Sequence, residues 1–226
     1  MFDRIAGLYD RMNTVMTAGL HHEWRRRATD LAELSPGSRA LDVATGTGDL
    51  ALELATRVGA GGEVVGVDFS ERMLELARDK AQARAASLGG AGVRFETGNA
   101  LALAYPDGEF DAATVGFGAR NFSDLGRGLS EMGRVVRPGG RVVVLEITTP
   151  RRPPLSTFFD VWFDRVVPAL GHVVDSQAYS YLPSSVKRFP GPEELAARMW
   201  GSGLREIRFV LTAGGIIALH VGTVPN

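Results

Sequence analysis

The segment of this sequence best suited to chemistry is a glycine-rich loop at residues 44–49, which runs Ala-Thr-Gly-Thr-Gly-Asp. Its glycines, Gly46 and Gly48, allow a sharp turn and let a ligand approach the backbone closely. Residues 50–58 carry leucines at helical spacing, so the N–H groups at the start of a helix would suit an anionic group. The loop therefore predicts a ligand site. Nicotinamide and flavin enzymes use the same glycine spacing, however, and some tight turns need it with no ligand.

An acidic residue, Asp68, ends the next predicted strand, about 20 residues after the loop, as in nucleotide-binding folds. Its carboxylate could accept hydrogen bonds from both hydroxyls of an adenosine ribose. Alternatively, Asp68 only caps the helix that begins near Glu71, and a nicotinamide enzyme would also carry an acid here. Asp68 therefore indicates a nucleoside without identifying it.

A polar residue, Asn99, follows the third predicted strand, in the sequence Gly98-Asn99-Ala100. A side chain at the carboxyl end of a strand can meet the edge of an adenine ring. The alternative is an asparagine that only stabilises a turn. Asn99 is therefore a candidate for recognising the base.

The elements that would position these residues alternate between strands and helices over residues 39–147, which predicts a parallel sheet with helices on both faces. Ser70 is the expected N-cap of the helix after the second strand. A helix over 125–136 is expected to end at the Arg-Pro-Gly-Gly segment, residues 137–140. The predicted buried strands cover residues 39–43, 64–68, 93–97, 110–116 and 141–147.

The end of the chain follows a different pattern. Residues 204–211 and 216–224 are two apolar segments joined by Thr-Ala-Gly-Gly, a spacing that predicts a hairpin. The sequence thus predicts an α/β, Rossmann-like fold with a seven-stranded, mostly parallel sheet and an antiparallel last strand. This order resembles the class I S-adenosylmethionine-dependent methyltransferase fold. A dinucleotide dehydrogenase would carry a second mononucleotide-binding half or a Tyr-x-x-x-Lys motif, and none of the four tyrosines precedes such a lysine.

Composition excludes several other classes. The 226 residues carry 25 basic and 26 acidic side chains, so no global field attracts nucleic acid. The absence of cysteine excludes disulfides and thiolate metal sites, and the four histidines lack metal-ligand spacing, so we expect no metal. The first residues do not form a signal peptide, and the apolar stretch at 155–174 contains charges and a proline. We expect a cytoplasmic protein, with contact at the inner face of the cell membrane and homodimer formation left open.

The whole chain, residues 1–226, is predicted to form a single domain. A helical cap is expected over about residues 1–35 and a lid-like insertion over about residues 149–192, which opens with Thr-Pro-Arg-Arg-Pro-Pro. An aromatic and aliphatic stripe at 158–167 is either a wall for a long apolar tail of a ligand, a membrane-facing surface, or simply the core of the lid.

Seven segments of the chain resemble the demethylmenaquinone and demethylubiquinone C-methyltransferases of the MenG/UbiE type, over nearly its whole length. They are FDRIAGLYDRMN at 2–13, GLHHEWRR at 19–26, LDVATGTGD at 41–49, NALALAYPDGEFD at 99–111, FGARNFSD at 117–124, YSYLPSSVKRFP at 179–190 and LTAGGIIALHVG at 211–222. Two features depart from the family. The chain starts directly at the first motif, which suggests a missing leader, and Gly116 stands where some relatives carry a serine, which weakens one cofactor contact.

The resemblance implies that the cofactor is S-adenosylmethionine and that its methyl group passes to a ring carbon of a prenylated quinol, converting demethylmenaquinol to menaquinol. Another small aromatic acceptor, including a demethylubiquinol-type one, is the alternative. The implied cofactor-binding residues are Thr47, Asp68, Asn99 and Ala100, with the loop glycines Gly46 and Gly48 and with Gly116 through its backbone.

A quinol carbon becomes a good nucleophile only as its hydroxyl loses a proton, so the site must accept that proton or stabilise the phenolate. Arg120, just past the fourth strand, has a fixed charge suited to stabilisation and not to acting as a base. The alternative is a surface arginine paired with Asp124.

Side chains from the resembling segments are further candidates to hydrogen-bond the quinol. A satisfied structural role is the alternative for each of them. They are Tyr9 and His21 from the first two segments, and Tyr179, Tyr181 and His220 from the last two.

Overall fold

The computed structural model of the chain describes residue 17 and residues 19–150, 153–161 and 184–226. The named helices within these ranges are α1 (His21–Leu31), α2 (Asp49–Val58), α3 (Glu71–Arg84), α4 (Leu125–Val135), α5 (Leu155–Val161) and α6 (Pro192–Gly201). The strands are β1 (Arg39–Val43), β2 (Glu63–Asp68), β3 (Gly92–Thr97), β4 (Phe110–Gly116), β5 (Val136–Ile147), β6 (Arg205–Thr212) and β7 (Ile217–Thr223). Short 3₁₀ turns lie at Ala85–Ser87, Ala119–Asn121 and Ala213–Gly215.

All seven strands form one sheet in the order β3-β2-β1-β4-β5-β7-β6. Strands β1 to β5 pair in parallel, whereas β7 runs antiparallel to both of its neighbours. The hairpin between β6 and β7 places the antiparallel strand inside the sheet, next to β5. The predicted sheet, with an antiparallel last strand, is confirmed.

Alternate residues of the strands point to two separate cores, one on each face of the sheet. On one face Ala40 packs with Trp24 of α1 and with the leucines of α2 and α3. On the other face Leu41 packs with α4 and α6, where Met132 and Met199 are completely buried. This double layer holds the carboxyl ends of the parallel strands at one rigid edge.

Two strands differ from the prediction. The strand at residues 93–97 was expected to be buried, but β3 is an edge strand in which only Phe95 is fully buried. The helix predicted over 125–136 does end before the Arg-Pro-Gly-Gly segment, as α4. The strand predicted over 141–147 begins earlier, because β5 starts at Val136, which pairs with Phe110, and it includes that segment, with Gly139 at φ +77°.

The described part of the predicted lid packs against the end of the sheet. Phe159 of α5 is buried with Val186, beside Ile147 and Ile216. The stripe at 158–167 lies mostly outside the described residues, so its role stays a prediction, as does the division of the chain into cap, core and lid. No helix within the described ranges is long and apolar enough to cross a membrane.

The glycine loop depends on one tight contact with the core. Gly48, the N-cap of α2, has φ +79°, and a Cβ on it would lie 2.8 Å from Cζ of Phe95. Gly61 has a similar φ of +82°, but a Cβ on it would meet nothing within 4 Å. Both glycines therefore have a positive φ, but only Gly48 packs closely against another side chain.

We expect Gly48→Ala to lower the free energy of unfolding by about 1–3 kcal/mol more than Gly61→Ala, because only Gly48 would push a methyl group into Phe95. Urea denaturation of the two variants measures the difference. Equal losses would show that the backbone conformation alone requires glycine at position 48.

Candidate active site

A cavity of about 260 Å³ lies at the carboxyl ends of β1, β2 and β4, where the strand order reverses. Open α/β sheets bind their ligands at this switch point, because the chain leaves neighbouring strands in opposite directions and opens a crevice. The walls come from the loop after β1, from the ends of β2 and β4, and from the segments that follow β3 and β4. They include Thr45, Gly46, Thr47, Asp68, Phe69, Asn99, Ala100, Gly116, Phe117, Asn121 and Phe122.

The glycine loop is attached to β2 by a hydrogen bond to Asp68. The Gly46 N–H donates to Oδ2 of Asp68 at 2.8 Å, and φ of Gly46 is +55°. A Cβ on Gly46 would meet nothing within 4 Å, so the loop presents bare backbone to the cavity. A ligand in the cavity can therefore come close to the Gly46 backbone.

The Asp68 carboxylate is buried, 7% exposed, and lines the cavity. Its Oδ1 accepts from the Ser70 N–H at 3.0 Å, while Ser70, the expected N-cap, accepts from the Met73 N–H at 3.2 Å. Ser70 therefore caps α3. The Asp68 carboxylate is oriented by the N–H groups of Gly46 and Ser70, which lie on either side of the crevice. A carboxylate can accept about four hydrogen bonds, so these two bonds are compatible with further ones from a ligand.

The start of α2 is surrounded by charge. Asp49 contacts Lys80 Nζ at 2.6 Å and Arg25 Nη2 at 3.1 Å, and Lys80 also donates to the Thr47 hydroxyl at 3.0 Å. Burial alone would raise the pKa of Asp49, but the charges of Arg25 and Lys80 outweigh it and hold the pKa below its ordinary value. Asp49 is thus a permanent anion that links α1, α2 and α3.

A second carboxylate, Asp42, lies under the loop inside β1. Thr45 donates its hydroxyl to Oδ2 at 2.6 Å and Thr114 donates to Oδ1 at 2.7 Å. Burial raises the pKa of Asp42 to about 6, against the opposing effects of these two hydrogen bonds and of the Arg25 charge. Asp42 ties the loop to both β1 and β4.

The expected base-recognition segment lies in the cavity wall. Asn99 and Ala100 both line the cavity, and the Asn99 side-chain oxygen accepts from the Leu101 N–H at 2.9 Å. Asn99 therefore stabilises a turn and also faces the site. Gly116 lines the wall too, but Gly48 is not among the lining residues and packs on Phe95 instead.

Arg120 does not line the cavity and forms a buried ion pair behind its wall. Its Nη1 lies 2.5 Å from Oε1 of Glu146, and the two side chains are 9% and 1% exposed. Asp124 instead accepts from the Arg127 N–H at the start of α4, so the alternative pairing of Arg120 with Asp124 is wrong. Within the described part of the chain, the Arg120 Nε is buried without a hydrogen-bond partner.

The remaining predicted residues are not placed in the cavity. His21 is buried on α1 and forms a 2.7 Å hydrogen bond with the Thr17 hydroxyl. His220 donates from Nε2 to the Pro192 carbonyl at 2.8 Å and stacks on Phe209, and burial lowers its pKa. Tyr9, Tyr179 and Tyr181 lie outside the described residues, so their roles stay predictions.

The fold and the cavity can be compared with known proteins. The model of the ubiE/COQ5 methyltransferase family matches residues 1–224. The chain belongs to this family. It is therefore a methyltransferase, and membership implies the use of S-adenosylmethionine. The dehydrogenase interpretation that the glycine loop left open does not apply.

Similar relatives span essentially the same length. The chain is 48% identical to the demethylmenaquinone methyltransferase of Thermus thermophilus, with 100% of both chains covered. It is 46% identical to the enzyme of that name from Deinococcus radiodurans, covering 98% of this chain and 90% of the relative. It is 40% identical to a ubiquinone/menaquinone biosynthesis C-methyltransferase UbiE of Geotalea uraniireducens, covering 98% and 94%.

Solved structures show the same fold. An S-adenosylmethionine-dependent methyltransferase from Thermotoga maritima aligns with a TM-score of 0.67 at 22% identity, covering 98% of this chain and 97% of that one. One from Aquifex aeolicus aligns with a TM-score of 0.61 at 20% identity, covering 84% of each chain. The class I S-adenosylmethionine-dependent methyltransferase fold predicted from the sequence is confirmed.

Several residues of this methyltransferase's site were not singled out from the sequence. Asp42 and Glu146 are each a lone acid in an apolar strand, and that contrast was a usable signal. Arg25 shares the buried face of α1 with Trp24 and Ala28, although an arginine on an apolar helical face is unusual. The residues that pair with these three side chains lie far away in the chain, so the pairing itself leaves no pattern in the local sequence.

The raised pKa of Asp42 has a consequence for stability. The folded protein keeps this proton up to about pH 6, whereas the unfolded chain releases it near about pH 4. The contribution of Asp42 to the free energy of unfolding is therefore present at lower pH and is lost as the pH rises through that window.

We expect the free energy of unfolding of Asp42→Asn, minus that of the parent protein, to rise by roughly 3 kcal/mol from about pH 3 to about pH 7. The reason is that the neutral amide has no proton to lose, whereas Asp42 of the parent loses one. Urea denaturation across that range measures the difference. Asp79→Asn, a change at an exposed aspartate on α3, is the matched control. A difference in the free energy of unfolding that stays constant with pH would contradict the raised pKa of Asp42.

Proposed function

We propose that this protein transfers the methyl group of S-adenosylmethionine to a ring carbon of demethylmenaquinol, giving menaquinol. The observation that carries the proposal is the 48% identity to a demethylmenaquinone methyltransferase over the full length of both chains. The cavity at the switch point supports it, because it combines a bare glycine loop, a buried carboxylate and an aromatic wall.

The polar part of the cavity fits the methyl donor. Gly46 leaves room for a ligand where a side chain would intrude, and Asp68 is positioned to accept from two ribose hydroxyls. Asn99 and Ala100 follow the neighbouring strand, where the adenine ring would lie, and Thr47 and Gly116 complete the wall. When bound, S-adenosylmethionine supplies a methyl group on a positively charged sulfur.

The acceptor would occupy the side of the cavity that follows β4. Phe117, Asn121 and Phe122 line that side, and Phe117 is itself supported by an edge-on contact with Trp24, with ring centroids 6.4 Å apart. Aromatic walls suit a flat, apolar ring. The prenyl tail of such an acceptor partitions into a bilayer, so we propose that the protein works at the membrane surface.

The chemistry places two demands on these residues. The ring carbon must be held in line with the bond from sulfur to methyl, and negative charge on the quinol oxygen must be stabilised as its proton leaves. A carbon–carbon bond forms, the carbon–sulfur bond breaks, and the ring loses one proton to solvent. The neutral product is S-adenosylhomocysteine.

Arg120 supplies the positive charge in this proposal. Because its guanidinium lies behind the wall, it acts through its electrostatic field and through water, and Glu146 holds it in place. The turn Ala119–Asn121 connects it directly to Asn121 at the cavity surface. Tyr9 and His21 stay predictions as acceptor contacts.

A second acceptor is a demethylubiquinol-type ring. The relative from Geotalea uraniireducens is named for both ubiquinone and menaquinone biosynthesis, and it is 40% identical to this chain. Both acceptors present an electron-rich carbon beside a hydroxyl, so the same site chemistry serves either.

Purified protein supplied with S-adenosylmethionine carrying an isotope-labelled methyl group tests the proposal. We expect label on a ring carbon of short-chain demethylmenaquinol, and none with the oxidised quinone, because only the quinol can form a phenolate. Mass spectrometry and NMR of the product locate the methyl group. Asp68→Ala, which should lose donor affinity, is the control. Label on oxygen, or on the demethylubiquinol analogue alone, would overturn the demethylmenaquinol assignment.

The pair formed by Arg120 and Glu146 offers a separate test. Arg120→Met leaves a buried carboxylate without its partner and should destabilise the protein by about 3–5 kcal/mol. The double variant Arg120→Met with Glu146→Gln should recover most of that stability, yet turnover should stay about a hundredfold low, because the positive charge behind the acceptor wall is gone. Thermal unfolding and kcat are the measurements. Recovery of kcat together with stability would show that Arg120 only supports the fold.

A further inference from the structure

One cationic side chain in the cavity has an unused donor. Arg25 of α1 lines the cavity and is 8% exposed. Its Nη2 contacts Oδ2 of Asp49 at 3.1 Å, but its Nη1 is buried with no hydrogen-bond partner among the described residues. A buried charged donor left unpaired costs free energy, so a native protein that keeps one has a reason for it, and a ligand that satisfies the donor is such a reason.

The nearby acids do not supply the missing acceptor. Asp49 is shared between Arg25 and Lys80, and both oxygens of Asp42 accept from threonine hydroxyls. The cavity end of the Arg25 guanidinium therefore suits an anionic group brought in from outside. Planar guanidinium binds carboxylates well, because its N–H groups match the two oxygens.

The order of strands tells which part of the methyl donor would reach Arg25. Asn99 follows β3, Asp68 ends β2, and the glycine loop with Asp49 follows β1, so these groups lie in sequence across the edge of the sheet. The proposed donor has the same linear order: adenine, ribose, sulfur, amino acid. With its ribose at Asp68, the amino-acid end extends towards the loop, the start of α2 and Arg25.

The N-terminus of α2 reinforces this placement. Gly48, the N-cap, has no side chain to accept hydrogen bonds from the first turn, and the positive end of the helix dipole favours an anion beside it. Arg25 and the helix start thus meet at one end of the cavity.

We propose that Arg25 binds the carboxylate of the amino-acid portion of the methyl donor, through the Nη1 donor that the described residues leave unpaired. This assignment rests on the proposed use of S-adenosylmethionine. Asp49 and Lys80 keep the guanidinium in place, and α1 thereby contributes directly to donor binding as well as to the core.

Calorimetric titration with two ligands isolates this contact. The first is S-adenosylhomocysteine, the stable product, and the second is its decarboxylated analogue, 5′-deoxy-5′-(3-aminopropylthio)adenosine, which lacks only the carboxylate. We expect Arg25→Met to weaken binding of S-adenosylhomocysteine by about ten- to a hundredfold and to change binding of the analogue by less than about twofold. Arg25→Lys, which keeps the charge but loses the planar fork, should fall between Arg25→Met and the parent protein.

Arg57→Met is the matched control, because Arg57 also joins α2 to α1, through a 2.8 Å contact with Asp30, but does not line the cavity. It should leave the affinity for both ligands unchanged. Equal weakening of both ligands by Arg25→Met, or weakening of neither, would overturn the proposal. If Arg25→Met does not fold, the same comparison between ligands is made with Arg25→Lys. Failure of the parent protein to bind S-adenosylhomocysteine at all would instead refute the use of this donor.

Discussion

The site depends on one hydrogen bond, from the Gly46 N–H to the Asp68 carboxylate at 2.8 Å. It joins the loop after β1 to the end of β2, and the other oxygen of Asp68 holds the Ser70 N–H at the start of α3. The carboxylate therefore sets the distance between two neighbouring strand ends. Because hydrogen bonds to ionised carboxylates are short and strong, the walls of the crevice are organised before any ligand arrives.

Buried charge surrounds this arrangement. Asp42 lies below the loop, Asp49 at the start of α2, and Glu146 at the end of β5, and each has at least one donor from another element. Buried ion pairs add little net stability, since desolvation offsets their attraction. They do fix geometry, because separating the partners leaves a charge in an apolar surrounding. In this methyltransferase such pairs hold the loop, α1 and the Ala119–Asn121 turn around one cavity.

Most of the cavity wall on the donor side could be predicted from the sequence. Thr47, Asp68, Asn99 and Gly116 all line one cavity, because the carboxyl ends of parallel strands must meet at one edge of the sheet. Gly48 was predicted for the same reason, but its missing side chain allows the close approach of Phe95, a residue from a strand that neighbours β2. The pattern of the loop could not separate a glycine that faces a ligand from one that faces the core.

Arg120 shows where such prediction stops. Its position after β4 pointed to the acceptor, yet its guanidinium turns towards Glu146, 26 residues later in the chain. Arg25 shows the reverse: nothing near it in the sequence indicates a ligand, and only the packing of α1 beside α2 brings it into the cavity.

By itself, the sequence determined the alternation of strands and helices, the glycine loop, the capping of α3 by Ser70 and the family of the chain. These properties depend on residue spacing and on neighbours along the backbone. The tertiary structure alone decided which charges pair and which donors are left for a ligand. Hydrogen bonds and close ion pairs act over only a few ångströms, and contacts between distant segments are set by how the helices pack on the two faces of the sheet.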